Sequence, residues 1–269
     1  MADCNHDCSS CGVEGCGERN EIKKIEPHIG TSFKKVIAII SGKGGVGKSL
    51  VTSLLASELA KKGKKVAIMD ADITGPSIPQ AFGLSSAFAT QDDNGLYSVE
   101  TKLGIKVMSV NLLLENNEDP IVWRGPIVSG FVQQMFTDVN YGEMDYLLID
   151  MPPGTGDVPL TVFQSLPIDE IVVVTSPQEL VSMVVAKSIN MARMMYIPIV
   201  GLVKNMAYVK CPDCGKKIEI FKSKKESKSD LPILAEIPID PELASLVDEG
   251  CIEDYKENLL DNLITAIEK

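Results

Sequence analysis

Residues 35–49 read KVIAIISGKGGVGKS, an apolar run followed by a glycine-rich turn. The apolar run, residues 36–40, consists of β-branched and small side chains, which is typical of a buried parallel strand. The turn matches the phosphate-binding pattern G-x-x-x-x-G-K-S between Gly42 and Ser49. Because a helix-compatible segment follows, with leucines at helical spacing, we predict a phosphate site between a strand and a helix.

The residues of this turn have distinct tasks in holding a nucleotide. The glycines allow backbone conformations that a Cβ would block, so that consecutive N–H groups can surround phosphate oxygens. Lys48 supplies a positive charge to the β- and γ-phosphates, and the Ser49 hydroxyl is a candidate Mg²⁺ ligand. The predicted nucleotide-contacting residues of the turn are Gly42, Lys43, Gly44, Gly45, Val46, Gly47, Lys48 and Ser49.

The bulk composition narrows the possible functions. The chain has 269 residues, 45% of them hydrophobic, and a net charge of −11. This acidity argues against non-specific nucleic-acid binding and against anionic lipid surfaces. No uninterrupted apolar run approaches the roughly 18 residues that a membrane span needs, and the N-terminus lacks the apolar core of a signal peptide. We therefore expect a cytoplasmic protein with neither a nucleic-acid nor a membrane partner.

From residue 35 onward, apolar runs alternate with helical segments, which predicts an α/β fold with a mostly parallel sheet and helices on both faces. The expected strands are 35–40, 65–69, 105–110, 146–149, Glu170–Thr175, 199–203 and 233–237. The expected helices are 49–62, 127–139, 180–196, Pro241–Asp248 and 253–268. We predict a cysteine-rich arm at 1–31 and one P-loop domain at 32–269, with an inserted loop at 207–231.

Carboxylates follow two of the expected strands. In a parallel sheet the ligand site lies beyond the carboxyl ends of the strands, so these side chains should meet at the phosphate end. Asp150 fits the role of the acid that holds Mg²⁺, through a water molecule. Asp72 is the candidate for orienting the attacking water. Capping of a turn is the alternative for Asp72 and the favoured interpretation for Asp70.

Two further features lie at the same edge of the predicted sheet. Asn205 follows the strand at 199–203, where its amide could read a purine edge, and an ordinary turn residue is the equal alternative. Residues 151–157, MPPGTGD, combine a stiff turn with flexible points. Such a composition suits a switch loop that senses the γ-phosphate.

The cysteine pair Cys211 and Cys214 has the C-x-x-C spacing of a metal knuckle. A chain with seven cysteines in a reducing compartment is better suited to metal binding than to disulfides. The pair is half of a four-thiolate site, and the other half must come from the N-terminal arm or from a two-fold related subunit. Such thiolates suit zinc as well as an iron–sulfur cluster.

The remaining cysteines fall into two groups. The N-terminal arm carries four thiols that are close enough in sequence to hold a second iron–sulfur cluster. They are Cys4, Cys8, Cys11 and Cys16. Cys251 stands alone near the last predicted helix, and we expect it to be a buried structural thiol.

A second lysine, Lys43, begins the loop KGGVGKS, which resembles the deviant Walker A loop of the MinD/ParA/nitrogenase-iron-protein class. Within that class, several stretches resemble the Mrp family of iron–sulfur cluster carrier ATPases. They are DADITGPSIP at 70–79, WRGP at 123–126, DMPPGTGD at 150–157, SPQ at 176–178, KNM at 204–206 and CPDCG at 211–215. The resemblance covers about residues 33–250.

This resemblance implies a homodimer that encloses ATP and Mg²⁺ between its subunits, hydrolyses ATP slowly and transfers a [4Fe–4S] cluster to apo-proteins. It implies that Lys43 reaches the phosphates of the partner subunit, that Asp72 positions water and that Asn205 reads adenine. The pair formed by Cys211 and Cys214 would bridge the cluster between subunits. The two switch loops would couple nucleotide state to the cluster.

Other functions remain open at this stage. A positioning ATPase of the MinD/ParA kind would bind a membrane or nucleoid, and residues 253–269 do place apolar side chains on one helical face. The opposite face is acidic, however, which favours packing on the protein over lipid binding. An ATP-driven electron donor shares the loop and a bridging cluster, but its cysteines are not arranged as one C-x-x-C pair. An ATPase with a structural zinc is the remaining alternative.

Overall fold

The computed structural model describes residues 24–93, 95–114, 123, 125–178, 183–221 and 230–269. The second cluster predicted at Cys4, Cys8, Cys11 and Cys16 lies outside these residues. So do residues 222–229 of the inserted loop and the start of the helix predicted at 180–196. The predicted division into an arm and a single P-loop domain therefore stays a prediction.

Strands and helices alternate along most of the chain, as the apolar pattern predicted. The strands are β1 (Ser32–Ser41), β2 (Val66–Asp70), β3 (Thr90–Asp92), β4 (Gly95–Tyr97), β5 (Val99–Glu100), β6 (Lys106–Met108), β7 (Val139–Asn140), β8 (Glu143–Asp150), β9 (Glu170–Thr175), β10 (Ile199–Lys204), β11 (Val209–Lys210), β12 (Lys217–Ile218) and β13 (Ile233–Glu236). The α-helices are α1 (Lys48–Lys61), α2 (Ile78–Ala81), α3 (Gly125–Thr137), α4 (Asp157–Ser165), α5 (Met183–Met194), α6 (Pro241–Asp248) and α7 (Asp261–Ile267).

The main sheet has eight strands in the order β13-β10-β9-β1-β8-β2-β6-β5. Its strands are parallel to their neighbours except β5, which pairs antiparallel with β6. This confirms the predicted mostly parallel sheet. Because β1 lies between β8 and β9, the glycine-rich turn that follows β1 stands at the middle of the sheet's carboxyl edge.

Apolar side chains cover both faces of this sheet. In β1, Ile37 and Ile39 pack in the layer that holds α1, α6 and α7. Ala38 and Ile40 pack in the opposite layer, with side chains of α3, α4 and α5. This alternation has the period of two that a strand buried on both faces requires. The predicted helical cover on both faces is therefore confirmed.

The C-terminal segment is the largest difference from the predicted secondary structure. A single helix was predicted at 253–268, but the chain forms a short 3₁₀ turn at Ile252–Asp254 and becomes α-helical only at Asp261–Ile267. The carboxylate of Glu58, in α1, accepts the backbone N–H of Leu259 at 2.9 Å and that of Leu260 at 3.2 Å. These contacts take N–H groups that a continuous helix would bond to its own carbonyls.

The apolar face of this segment is nevertheless buried, as its acidic polar face suggested. Leu260, Leu263, Ile264 and Ile267 all lie in the core layer beside α1. No helix in the described part of the chain is both long and apolar enough to cross a membrane. Cys251, predicted to be buried, is instead half-buried, with its Sγ 3.6 Å from the carbonyl of Glu249.

Candidate nucleotide-binding site

A cavity of about 370 Å³ lies at the carboxyl end of β1, within the size range of small-molecule sites. All residues of the glycine-rich loop from Lys43 to Ser49 line it. The other walls come from distant parts of the chain. They include Leu50, Asp72, Gln80, Pro153, Val247 and Asp248. The predicted phosphate loop therefore forms one wall of an open cavity.

The backbone of the loop is arranged as an anion site. Gly45 and Gly47 have φ angles of 80° and 82°, a left-handed conformation that glycine adopts without steric cost. Gly47 is the N-cap of α1, and no side chain accepts a hydrogen bond from the first turn of that helix at this cap. The N–H groups and the positive dipole end of a 14-residue helix therefore face the cavity.

Lys48, Ser49 and Asp150 converge at the base of the loop. The Lys48 ammonium is almost fully buried and lies 2.7 Å from Oδ2 of Asp150, which is itself fully buried. The Ser49 hydroxyl donates to the same Oδ2 at 2.6 Å. A hydroxyl and a carboxylate in this arrangement are the oxygen ligands that Mg²⁺ uses in nucleotide sites. The structure thus brings together the residues that were predicted separately around Mg²⁺.

Asp72 lies beside this group, with Oδ2 3.8 Å from the Lys48 ammonium. Burial raises the pKa of Asp72, and the positive charge of Lys48 opposes that shift. A carboxylate that lines the cavity and faces the phosphate end is suitably placed to contact a water near the terminal phosphate. Its role in orienting the attacking water stays a prediction.

Asp70 is the last residue of β2, two positions before Asp72, and is in register with Asp150 on β8. It accepts the backbone N–H of Asp72 at 3.2 Å, which is the capping contact that was favoured for it. It also accepts the hydroxyl of Ser109 at 3.1 Å. Complete burial, followed by the negative charge of Asp150, raises the pKa of Asp70 to about 8. The buried Asp70 carboxyl group therefore supports the site by holding the backbone of Asp72.

The raised pKa of Asp70 predicts a pH-dependent stability. An acid with a folded-state pKa above its usual value makes the fold lose stability as pH rises from about 4 to about 8. Asp70→Asn resembles the protonated acid, with one acceptor oxygen for Asp72 and one donor toward Ser109, but it cannot ionise. We expect its melting temperature, relative to wild type, to rise between about pH 5 and about pH 8.5 in nucleotide-free protein. Asp93→Asn, at an exposed turn, is the control, and a difference that does not grow with pH would contradict the assignment.

Asn205 is buried, 1% exposed, and its amide is directed at the backbone of the loop. Its Nδ2 donates to the carbonyl of Val46 at 3.0 Å, and its backbone N–H donates to the carbonyl of Thr175 at 2.8 Å. The structure therefore places Asn205 at the loop, while its predicted contact with adenine stays a prediction. Lys43 is an exposed residue at the cavity rim, and its predicted reach to a partner subunit also remains a prediction.

The predicted switch loop, 150–157, lies against the glycine-rich loop. The backbone N–H of Gly154 donates to the carbonyl of Ser41 at 2.9 Å, and Pro153 lines the cavity. Asp157 is the first residue of α4, a helix that sequence analysis missed because it is short and buries only a few apolar side chains. The end of β1, just before the glycine-rich loop, is therefore hydrogen-bonded to the segment that leads into α4.

Sequence analysis missed several residues of the site. The hydroxyl of Thr52 is 2.8 Å from Oδ1 of Asp150, so this threonine holds the second oxygen of the acid. It could have been found, because Thr52 is three residues after Ser49 and shares its face of α1. Gln80, Val247 and Asp248 were missed because they belong to none of the sequence motifs. They reach the cavity because α2 and α6 pack together beside the start of α1.

The cysteine pair lies on a small hairpin formed by β11 and β12. The backbone N–H of Cys211 donates to the carbonyl of Lys216 at 3.0 Å, and that of Gly215 donates to the carbonyl of Cys211 at 2.9 Å. Hydrogen bonds from the backbone N–H groups of Cys214 and Asp213 lower the pKa of the Cys211 thiol. The hairpin thus favours a thiolate, the form that binds metal.

The described part of the hairpin carries two thiols that could bind a metal, those of Cys211 and Cys214. Cys214 is exposed and Cys211 is half-exposed. Among the residues that the structure describes, no group of three or more Cys, His, Asp or Glu side chains is arranged to hold a metal ion. Three apolar side chains that follow the turn are also exposed, namely Ile218, Ile220 and Phe221. The cysteine pair is therefore accessible to solvent, and its role as half of a metal site stays a prediction.

The hairpin is tied to the segment that follows β13. The ammonium of Lys210 contacts both carboxylate oxygens of Glu257, at 2.7 Å and 2.6 Å. The backbone N–H of Ile239 donates to the carbonyl of Tyr208 at 2.8 Å. Only five residues separate Asn205, at the phosphate loop, from Cys211. The cavity and the cysteine pair are therefore connected by a short, hydrogen-bonded stretch of chain.

Comparison with known proteins agrees with this geometry. A family model described as the NUBPL iron-transfer P-loop NTPase of the ParA group matches residues 32–268. An iron-sulfur cluster carrier protein of Clostridium perfringens is 48% identical over 96% of this chain and 94% of its own length. One of Methanocaldococcus jannaschii is 42% identical over 93% of this chain and 90% of its own length.

Two solved structures are similar to this chain. A nucleotide-binding protein from Archaeoglobus fulgidus, in complex with ADP, is 46% identical, with a TM-score of 0.75 over 84% of this chain and 90% of its own. The septum site-determining protein MinD of Pyrococcus horikoshii, complexed with Mg-ADP, is 22% identical, with a TM-score of 0.56 over 88% of this chain and 95% of its own. At 22% identity, the similarity to MinD shows only that the two proteins share a fold. The chain belongs to the family of NUBPL iron-transfer P-loop NTPases, which confirms the predicted likeness to the Mrp carriers.

Proposed function

We propose that this protein binds and slowly hydrolyses ATP with Mg²⁺, holds a [4Fe–4S] cluster and transfers it to apo-proteins. The observation that carries the proposal is the outward-facing pair Cys211 and Cys214 on a hairpin connected to the nucleotide cavity. A carrier needs thiolates that a recipient protein can reach, and this pair is accessible. The similar carrier proteins named above support the cargo.

The nucleotide part of the proposal is supported by the cavity. Lys48 and the N-terminus of α1 supply positive charge for phosphates, whereas Ser49 and Asp150 supply oxygen ligands for Mg²⁺, Asp150 through water. The bound Mg²⁺ would neutralise charge that develops on the phosphates. Asp72 would orient the attacking water, and Asn205 would read adenine.

The homodimer is part of the proposal, because the cysteine hairpin supplies two thiolates and a [4Fe–4S] cluster takes four. A two-fold axis beside the hairpin would bring the same pair from a second copy. Lys43 at the cavity rim would then be able to contact the nucleotide of the other subunit. Thiolate ligands also suit zinc, so the metal itself must be measured. Ligand cysteines need a reducing compartment, which is consistent with the cytoplasmic location we propose.

The experiment is a count of iron and acid-labile sulfide per chain after anaerobic reconstitution. The double variant Cys211→Ala/Cys214→Ala is expected to lose about two iron atoms per chain, half of a shared [4Fe–4S] cluster. Cys251→Ala is the matched control, since this thiol is half-buried and lies outside the hairpin. Iron that remains in the double variant would be assigned to the N-terminal arm.

Two outcomes would overturn the carrier proposal. One is zinc without sulfide in the wild-type protein, which would indicate a structural knuckle. The other is an iron count that the double substitution leaves unchanged. The membrane-binding alternative depended on an apolar helical face that lipid could reach. That face is packed in the core, through Leu260, Leu263, Ile264 and Ile267.

A further inference from the structure

Asn205 holds one specific peptide group of the phosphate loop. Its backbone is fixed to the end of β9 by the hydrogen bond to Thr175, and its amide is fixed to the carbonyl of Val46 at 3.0 Å. The side chain is 1% exposed. A buried amide in this position can restrain the loop, which consists largely of glycine, by connecting it to the main sheet.

The hydrogen bond sets the direction of the neighbouring N–H group. The carbonyl of Val46 and the N–H of Gly47 belong to one peptide, and the described residues contain no cis peptide bond. In a planar trans peptide these two groups point in opposite directions. Because Asn205 holds the carbonyl behind the loop, the N–H of Gly47 is directed away from Asn205, toward the cavity that Val46 and Gly47 line.

The residue type at position 47 does not by itself fix this orientation. A Cβ at position 47 would overlap the Nδ2 atom of Asn205, so close packing requires glycine there. Glycine adopts φ angles of either sign with similar ease, so the backbone alone permits the Val46–Gly47 peptide to rotate. A rotated peptide would present a carbonyl oxygen to a bound phosphate, and the two negative ends would repel each other.

We propose that Asn205 is a positioning residue for phosphate binding, which keeps the Val46–Gly47 peptide in its anion-binding orientation. This role is independent of the nucleobase and goes beyond a contact with adenine. It rests on the proposed binding of ATP in this cavity. The same side chain can serve both purposes, because the amide oxygen remains available when Nδ2 is bonded to the loop.

The test compares a ligand that has a base with one that has none. Binding of ATP, GTP and Mg²⁺-tripolyphosphate is measured by calorimetry for the full chain and for Asn205→Ala and Asn205→Leu. Both variants lose the donor, and the leucine keeps about the same side-chain size without adding a charge. We expect all three ligands to bind about tenfold more weakly, the loss expected for a buried hydrogen bond and its misplaced peptide. Asn140→Ala, in β7 of the separate three-stranded sheet formed by β3, β4 and β7, is the matched control and should bind all three as wild type does.

A residue that only reads adenine gives a different pattern. In that case ATP affinity falls in the variants, while tripolyphosphate and GTP affinities stay at the wild-type level, and the positioning role is excluded. An NMR measurement on the wild-type chain does not depend on how the variants fold. Addition of tripolyphosphate should shift the Gly47 amide resonance strongly, and an unmoved resonance overturns the proposal. None of these readouts involves the cysteines, so an absent cluster would disprove the carrier function without affecting this result.

Discussion

Gly47→Ala is expected to abolish detectable ATP binding. The new Cβ would overlap the Nδ2 atom of Asn205, a buried side chain that is bonded to the Val46 carbonyl of the same loop. Gly47 also has a φ of 82°, where a residue with a Cβ is strained by about 1–2 kcal/mol. Relief of the overlap breaks the Asn205 hydrogen bond or moves the loop, and either change displaces the N–H groups that would surround the phosphates. Calorimetry with ATP and Mg²⁺ measures the loss, and a melting curve shows whether the rest of the fold is intact.

Gly45→Ala separates the overlap from the strain. Gly45 has nearly the same φ, 80°, but a Cβ there would meet no atom within 4 Å. We expect this variant to bind ATP no more than about tenfold more weakly than wild type, the cost of backbone strain alone. Equal losses in the two variants would show that the overlap with Asn205 does not matter.

Asp150→Asn is expected to remove Mg²⁺-dependent ATP hydrolysis almost completely. Asp150 lies 2.7 Å from the buried ammonium of Lys48 and accepts hydrogen bonds from Ser49 and Thr52. The amide can neither carry the negative charge that Mg²⁺ requires nor accept at both positions. A fall of at least about 100-fold in turnover is expected, since one missing electrostatic partner costs that much in other active sites. The assay is phosphate release at saturating ATP.

The same substitution should reduce stability in the absence of nucleotide. Loss of one partner leaves the Lys48 ammonium buried, with the Asp72 carboxylate 3.8 Å away. Breaking such a buried pair costs about 3 kcal/mol or more. Asp145→Asn is the control, because Asp145 lies in the same strand, β8, but pairs with the exposed Lys34. If both variants had the same turnover and the same unfolding free energy, Asp150 would not be the Mg²⁺-holding acid.

The nucleotide cavity and the cysteine pair are connected by the segment between β10 and the cysteine hairpin. Sequence analysis assigned their coupling to the switch loops near Asp72 and Asp150. The structure adds a shorter connection, since Asn205 contacts the phosphate loop and Cys211 follows after five residues. Tyr208, within this stretch, is bonded to Ile239 just before α6, and α6 lines the cavity. One end of the segment therefore contacts the phosphate loop, and its middle is bonded to the chain just before a helix that lines the cavity.

The phosphate loop and its acids were predictable because their signals are local. Residues 35–49 contain strand, turn and helix start in one contiguous pattern, and hydrophobic periodicity is enough to order them. Asp72 and Asp150 could be placed at the same edge without a structure, because parallel strands bring their carboxyl ends together. The spacing of Cys211 and Cys214 likewise indicated half of a metal knuckle, and the structure places both residues on one hairpin.

Contacts between distant segments decided the rest. The helix predicted at 253–268 is interrupted because Glu58, some 200 positions earlier, takes the N–H groups of Leu259 and Leu260. Val247 and Asp248 reach the cavity only because α6 packs on α2. The direction of the Asn205 amide depends on Thr175 and Val46. By itself the sequence determined the phosphate loop and its acids, whereas long-range packing decided which further residues line the cavity and which way the groups point, since neither periodicity nor motif spacing encodes contacts between residues far apart in the chain.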